Sequence, residues 1–248
     1  MEIAAGQDKA KWWINRLLPN VALKNVANRE QWLKSTLDSL PAGLRILDAG
    51  AGELQYKKWC AHLDYVSQDF NQYDGQGDGT GLQTDQFDTS RIDIVSDITA
   101  IPVPDESFDV VMCVEVLEHV PDPNRAVNEL TRVLKKGGTL IITAPFCSIT
   151  HFSPYHFATG FNRYFYQQVL GEDYEILTIK ANGNFYEYLA QEIMRVPMVA
   201  QTYSKTKVSP IEMGWLVLAL RVLNRLNRRA NSSDDILCFG YHFLGTKK

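Results

Sequence analysis

The sequence predicts an α/β fold, a doubly wound and mostly parallel sheet in a single domain with helical additions. Three observations carry this prediction. The apolar run Leu44, Ile46, Leu47 ends at Asp48 and passes straight into the turn Gly50-Ala51-Gly52, the layout of a buried parallel strand feeding a loop and helix. Further apolar runs downstream are separated by segments of helical character with Pro and Gly punctuation, the order of βαβ units. A chain of 248 residues is long enough to bury one large core, so one domain with additions is expected rather than two.

The elements follow in order. Lys9–Leu18 and Asn28–Leu40 read as helices within an N-terminal segment 1–43, the second closed by Pro41 and Gly43. They either cover the ligand crevice or simply pack on the sheet. A core follows over 44–183. Tyr65–Asp69 reads as a second strand ending in an acid, and Asn71–Arg91, rich in Asp, Gly, Gln and Thr, shows no hydrophobic period and reads as a long loop. Loops of this kind are usually functional, and this one is placed to act as a flap. Pro102 and Pro104 mark the turn before a strand over Phe108–Val114. Pro121-Asp122-Pro123 starts a helix through Leu134, with Asp122 or Asn124 able to serve its free amides. Gly137-Gly138 ends that helix and opens a strand to Ala144. A helix near Phe161–Leu170 and a strand over Tyr174–Lys180 come next. The segment 184–235 is an insertion, helical in its second half, and Ile236–Thr246 within 236–248 reads as the final strand.

The acids around the glycines choose among ligands. Gly50 and Gly52 allow a sharp turn and close approach of a ligand to the main chain. A pyrophosphate would be repelled by Asp48 and Glu53, which flank the turn. Two acids suit a phosphate-free, positively charged ligand such as S-adenosylmethionine, with its ammonium and sulfonium. Asp69, ending the second strand, suits ribose hydroxyls, as does the acid about 20 residues past the glycines in dinucleotide folds.

From these residues onward the chain resembles the class I S-adenosylmethionine-dependent methyltransferases. Val95-Ser96-Asp97-Ile98 resembles that family's third-strand segment, whose acid faces the adenine amino group. Ser107 to Val120, including Cys113-Val114-Glu115-Val116-Leu117-Glu118-His119, resembles its fourth strand and turn, and Arg132 to Thr143 resembles its helix end, Gly-Gly turn and fifth strand. The matches run from Leu44 to Phe146, the cofactor half. One departure is Leu54, where many members carry a third glycine. The resemblance implies a Rossmann-like, seven-stranded, mostly parallel sheet with its last strand antiparallel, and S-adenosylmethionine as cofactor. It implies a cofactor site of Asp48, Gly50, Ala51, Gly52, Asp69, Phe70, Asp97, Ile98, Cys113, Val114 and Glu115. Glu115 is either close to the sulfonium or methionine ammonium, or a helix-start acid stabilised by the dipole.

Methyl transfer from a sulfonium is an in-line displacement, so the protein mainly holds donor and acceptor in a near-attack arrangement and excludes water. A base is needed only where the acceptor must lose a proton. Acceptors are expected beyond the carboxyl ends of strands four and five. Three histidines there are candidate bases: His119 after strand four, His151 and His156 in the aromatic-rich loop after strand five. Substrate contacts are expected from His151, Tyr155, His156 and Arg163, the polar handles of an apolar wall. The bland alternative is that Tyr155, Phe161 and Tyr164 seal the sheet. No metal is expected: His151 and His156 are five apart in a Pro-containing loop, with no evident third ligand.

Composition narrows the partners. A formal charge of −4 argues against general nucleic-acid binding and for a small-molecule acceptor, whether metabolite, sugar, lipid or quinone-like. Four scattered cysteines without a C-x-x-C pair suit a reduced cytoplasmic compartment, and no apolar core of signal-peptide length argues for secretion. In the insertion, Arg221, Asn224, Arg225 and Arg228 share one helical face, with Leu216, Ala219, Leu220, Leu223 and Leu226 largely opposite. Residues 211–229 therefore pack on their own domain, form a homodimer contact, or lie at a membrane surface as a peripheral helix. The competing functions are methylation of protein or RNA, and S-adenosylmethionine binding without turnover in a regulatory or scaffold role.

Overall fold

The computed structural model describes residues 20–248, and the helix predicted over Lys9–Leu18 lies outside them. These residues fall into two compact units, residues 20–28 with Gly183–Phe239, and Arg29–Asn182 with Gly240–Lys248.

The larger unit is built on a seven-stranded sheet in the order β3-β2-β1-β4-β5-β7-β6. The strands are β1 (Arg45–Ala49), β2 (Asp64–Asp69), β3 (Ile94–Val95), β4 (Phe108–Val114), β5 (Leu134–Pro145), β6 (Tyr174–Asn182) and β7 (Gly240–Lys247). β1 to β5 pair in parallel, and β7 runs antiparallel to both β5 and β6, as the family resemblance implies. The central strands are apolar without alternation because both faces are covered. Ile46 and Leu47 stand beside Val110 and Val111, all fully buried. Leu33 and Leu37 of helix α1 (Lys24–Asp38) pack against Ile46, Val110, Met112 and Ile141 on one face. Each such side chain contributes roughly 1.5–3 kcal/mol on burial.

Helix α2 (Pro123–Val133) starts where Pro at its first turn and an acid before it predict, and Asp122, not Asn124, accepts the Arg125 amide at 3.0 Å. Its end differs from expectation. The helix stops at Val133 and β5 begins at once, so Lys135–Gly138 belong to the strand. Pairing jumps from Phe108–Leu134 to Val110–Thr139, a bulge that absorbs the glycines. Helix α3 (Arg163–Leu170) is capped by Asn162, which accepts from the Tyr164 and Phe165 amides. The last strand starts at Gly240, four residues later than its apolar run suggests, and Ile236 is exposed.

The smaller unit holds two long helices, α4 (Phe185–Tyr203) and α5 (Pro210–Asn227). The sequence reading expected only the second. Asn184 caps α4 by accepting the Tyr186 and Glu187 amides, and Ser209 with Glu212 forms a reciprocal capping box on α5. Val21, Ala22, Ala190, Leu220 and Leu223 form the core here. The expected division of α5 into one polar and one apolar face is incomplete. Ile211, Trp215, Leu218, Val222 and Leu226 recur at helical spacing and stay exposed.

Candidate active site

At the carboxyl end of β1 the chain reverses through Gly50, where φ is +76°. The Gly50 and Ala51 amides both donate to the Gln68 carbonyl, at 2.8 and 2.9 Å, which ties the turn to β2. A Cβ on Gly50 would sit 2.7 Å from Val116 Cγ1, so only glycine fits. Asp69 closes β2 and stands against the same turn. Its carboxylate accepts the Gly52 amide at 3.0 Å and the Asn71 amide at 2.9 Å. Each oxygen keeps a further lone pair for a ligand hydroxyl.

The other acids behave differently from the reading of two charges flanking the glycines. Asp48 is only 1% exposed and accepts the Tyr65 hydroxyl at 2.6 Å. Burial, with a smaller push from Asp69, raises its carboxyl to about 7. Glu53 is exposed and accepts the Asp88 amide at 3.1 Å, which clamps the 71–91 loop. That loop has no regular structure, as predicted, yet it is tightly bonded. Phe87 from it lies over Gly52, and Leu82 pairs with the loop after β5 through bonds from the Leu82 amide to the Thr150 carbonyl and from the Phe152 amide to the Leu82 carbonyl.

Of the remaining residues assigned to the cofactor, Phe70 meets Tyr155 edge-on at 4.9 Å. Asp97 is exposed and accepts from the Thr99 amide and hydroxyl, and Ile98 is buried beside it. Cys113 is wholly buried, its thiol raised by burial, so main chain alone is available to a ligand at that position. Val114 closes β4. Glu115 has φ of +57° and precedes a 3-10 turn, Leu117–His119, so the helix-start reading fails. Its carboxylate pairs with Arg29 at 2.9 Å and accepts the Thr143 hydroxyl at 2.8 Å.

Beyond β4 and β5 the fold gathers all three candidate histidines. Ring centroids are 4.7 Å apart for His119–His151, 4.8 Å for His151–His156 and 5.9 Å for His119–His156. The loop after β5 is fastened to the β4 turn by the Phe157 and Ala158 amides, which donate to the Glu118 carbonyl at 2.9 and 3.2 Å. His119 Nδ1 meets the Tyr155 carbonyl at 2.6 Å, His151 Nδ1 the Ile149 carbonyl at 2.9 Å, and His156 Nε2 the Ser148 hydroxyl at 3.1 Å. Phe152 stacks on His119 and on Tyr73, and meets Phe87 edge-on, which joins the histidines to the glycine turn through aromatic rings. Burial, then His151, lowers His119 to about 3 and lowers His156 also, so both rings are neutral at neutral pH. Tyr155 thus serves the cluster by its carbonyl, while Arg163 begins the next helix.

Sequence reasoning missed Arg29, Thr143, Phe87 and Phe152. Their partners lie far along the chain, so no local spacing marks them. It also saw no third ligand-type side chain beside His151 and His156, and the turn after β4 supplies His119.

A family model described as a methyltransferase domain matches residues 47–142. A demethylmenaquinone methyltransferase of Renibacterium salmoninarum is 30% identical over 210 residues, spanning 81% of this chain and 79% of that one. A ubiquinone biosynthesis O-methyltransferase of Xylella fastidiosa is 34% identical over 110 residues, 41% of this chain and 42% of that one. Among solved structures, the cyclase SpnF superposes with a TM-score of 0.51 at 19% identity, covering 89% of this chain and 80% of that one. Phosphoethanolamine N-methyltransferase 2 of Haemonchus contortus in complex with S-adenosylmethionine gives 0.51 at 16% identity, covering 89% of this chain and 52% of that one. These two speak to fold alone. With the sheet order, the glycine turn and the relative aligned along most of both chains, the chain belongs to the class I S-adenosylmethionine-dependent methyltransferases and is an enzyme of methyl transfer.

Proposed function

We propose that the protein transfers the methyl of S-adenosylmethionine to a small hydroxy-aromatic acceptor of the quinol type. The observation that carries this reading is the cluster of three histidines and aromatic rings beyond β4 and β5, joined to the glycine turn by Phe152 and Phe87. The names of the relatives, a demethylmenaquinone methyltransferase and a ubiquinone biosynthesis O-methyltransferase, support it, and they weigh against a protein or RNA acceptor.

The residues fit the donor. Two glycines leave the turn free of Cβ atoms, and the Asp69 carboxylate has lone pairs left for ribose hydroxyls. Asp97 and Ile98 would flank adenine, Phe70 would line the adenosine, and the main chain of Cys113 and Val114 would border the methionine part. Arg29, whose Nε lacks a partner and whose guanidinium holds Glu115, suits the methionine carboxylate, leaving Glu115 for the ammonium. The bound donor supplies an electrophilic methyl on a good leaving group. His156 is the proton acceptor in this reading. It is half-buried, whereas His119 lies deeper and burial lowers it to about 3. A phenol that gives up its proton becomes nucleophilic at oxygen and at the adjacent ring carbon, so one base serves either outcome.

The test pairs binding with turnover. Calorimetric titration should show S-adenosylmethionine binding that Asp69→Ala weakens at least tenfold. With hydroquinone acceptors, mass spectrometry should find a methylated product, and His156→Ala should lower kcat by about 100-fold. Binding without product for any such acceptor would overturn the quinol assignment, and full kcat in the variant would remove His156 as the base.

The exposed apolar row on α5 supports a second assignment. With Arg221, Arg225, Arg228 and Arg229 exposed nearby, it matches a helix lying on an anionic lipid surface. Among the described residues no helix is long and apolar enough to cross a membrane, so contact of this kind would be peripheral.

A further inference from the structure

We propose that Glu118, His119 and His151 form a binding site for a divalent transition-metal ion beside the acceptor loop. Each offers one ligand atom, and these atoms lie within 4.8 Å of one another. Metal–nitrogen and metal–oxygen bonds of about 2.0–2.2 Å hold ligand atoms roughly 3–3.5 Å apart around one ion. Closing by at most about 1–2 Å, within the reach of side-chain rotation, completes the set.

Three further features point to a cation. First, the histidines are already oriented as metal ligands are. The Tyr155 and Ile149 carbonyls can only accept, so Nδ1 of His119 and of His151 carries the proton. That leaves Nε2 of His119 with its lone pair, and carbonyl support of the distal nitrogen, present at both rings, is the usual second layer around a metal. Second, Glu118 is 1% exposed, and its Oε2 has no hydrogen-bond partner. A buried carboxylate oxygen without a donor is costly, and a bound cation removes that cost. The neighbouring guanidinium of Arg29 is engaged by Glu115 at 2.9 Å, while Glu118 Oε1 faces His119 Nε2 at 3.8 Å. Third, the ligand-bearing segments are pinned before any ion arrives, by the bonds to the Glu118 carbonyl and by the Leu82 bridge.

Two imidazoles and one carboxylate suit zinc, manganese or iron(II), and leave coordination positions open. An acceptor hydroxyl occupying one of them would lose its proton more readily, to His156, which stands outside the triad with its Nε2 at the Ser148 hydroxyl. That last role rests on the proposed methyl transfer; the binding of the ion does not.

The experiment is a titration of chelator-treated, full-length protein with Co²⁺, read by calorimetry and by visible absorption, without donor or acceptor. One equivalent should bind, with a d–d band that Zn²⁺ displaces. Glu118→Gln and His151→Ala should each weaken binding at least tenfold, and thermal melting should show both still folded. Glu118→Gln is also nearly isosteric with the native side chain, so it guards against a folding defect. His62→Ala, altered ahead of β2 at the opposite end of the strands, and His156→Ala should bind as wild type. Absence of binding by wild type, or binding that survives both ligand substitutions, overturns the proposal. Cobalt binding by the wild type with no methylated product from hydroquinones would instead count against the acceptor assignment alone.

Discussion

Asp48 shows how burial can change the chemistry of a residue whose position is plain in the sequence. The strand-then-acid-then-glycine pattern marks its place, but not its burial. It sits under the turn, hydrogen-bonded to Tyr65, and its carboxyl is held near 7 by burial. Because the folded value is above the unfolded one, the associated stability is present at low pH and is lost as pH rises between about 4 and 7. Asp48→Asn keeps an acceptor for Tyr65 and removes that penalty. The variant should therefore gain about 2 kcal/mol more stability at pH 8 than at pH 5, measured by urea unfolding. An equal gain at both pH values would mean that Asp48 titrates normally. At this scale the glycines and Asp69 were legible because their partners are local or lie at the end of the next strand. Arg29 was not, since its pairing with Glu115 exists only once the helix lies over the sheet.

At the scale of elements, apolar runs located the parallel strands except β3, which family resemblance placed at Val95–Ile98 and which lies at Ile94–Val95, and two further boundaries moved. β5 starts at Leu134 because Phe108 provides a pairing partner there, and the last strand waits until Gly240 because Pro145 and Asn182 define its first partners. Register belongs to neighbours and cannot be read from one segment. Helix α4 was missed although Asn184 caps it, since Pro197 interrupts its pattern. The 71–91 loop was legible as a loop, but not as a partner of the loop after β5. Gly81 makes that pairing close: its φ is +71°, and a Cβ there would stand 2.5 Å from the Thr150 carbonyl. Gly81→Val should cost about 1–3 kcal/mol in thermal unfolding and speed proteolysis within 71–91. Unchanged melting and cleavage would show that the two loops are not held together at this point.

Across the whole molecule, the order of strands was legible through family resemblance more than through pattern, since apolar runs do not reveal strand direction. The insertion was legible in length but not in partition. Its second helix carries a buried pair, Leu220 and Leu223, and a separate exposed row. If that row meets lipid, the protein should sediment with phosphatidylglycerol-containing vesicles but not with phosphatidylcholine alone, and added salt should weaken the association. Ile211→Ser with Trp215→Ser should cut the bound fraction severalfold. A dimer in sedimentation velocity that the same substitutions dissolve, with no vesicle binding, would assign the row to a second copy instead. The placement of β7 has a further consequence, for assembly. Among the described residues it is the sole neighbour of β6, and it also covers the flank of β5. During synthesis, Tyr174–Asn182 therefore leaves the ribosome with nothing to pair with, and β5 keeps a bare edge until Gly240–Lys247 arrives. The eight-residue segment is the keystone of this arch, and clipping it would strand β6 and leave an adhesive rim on an otherwise finished sheet.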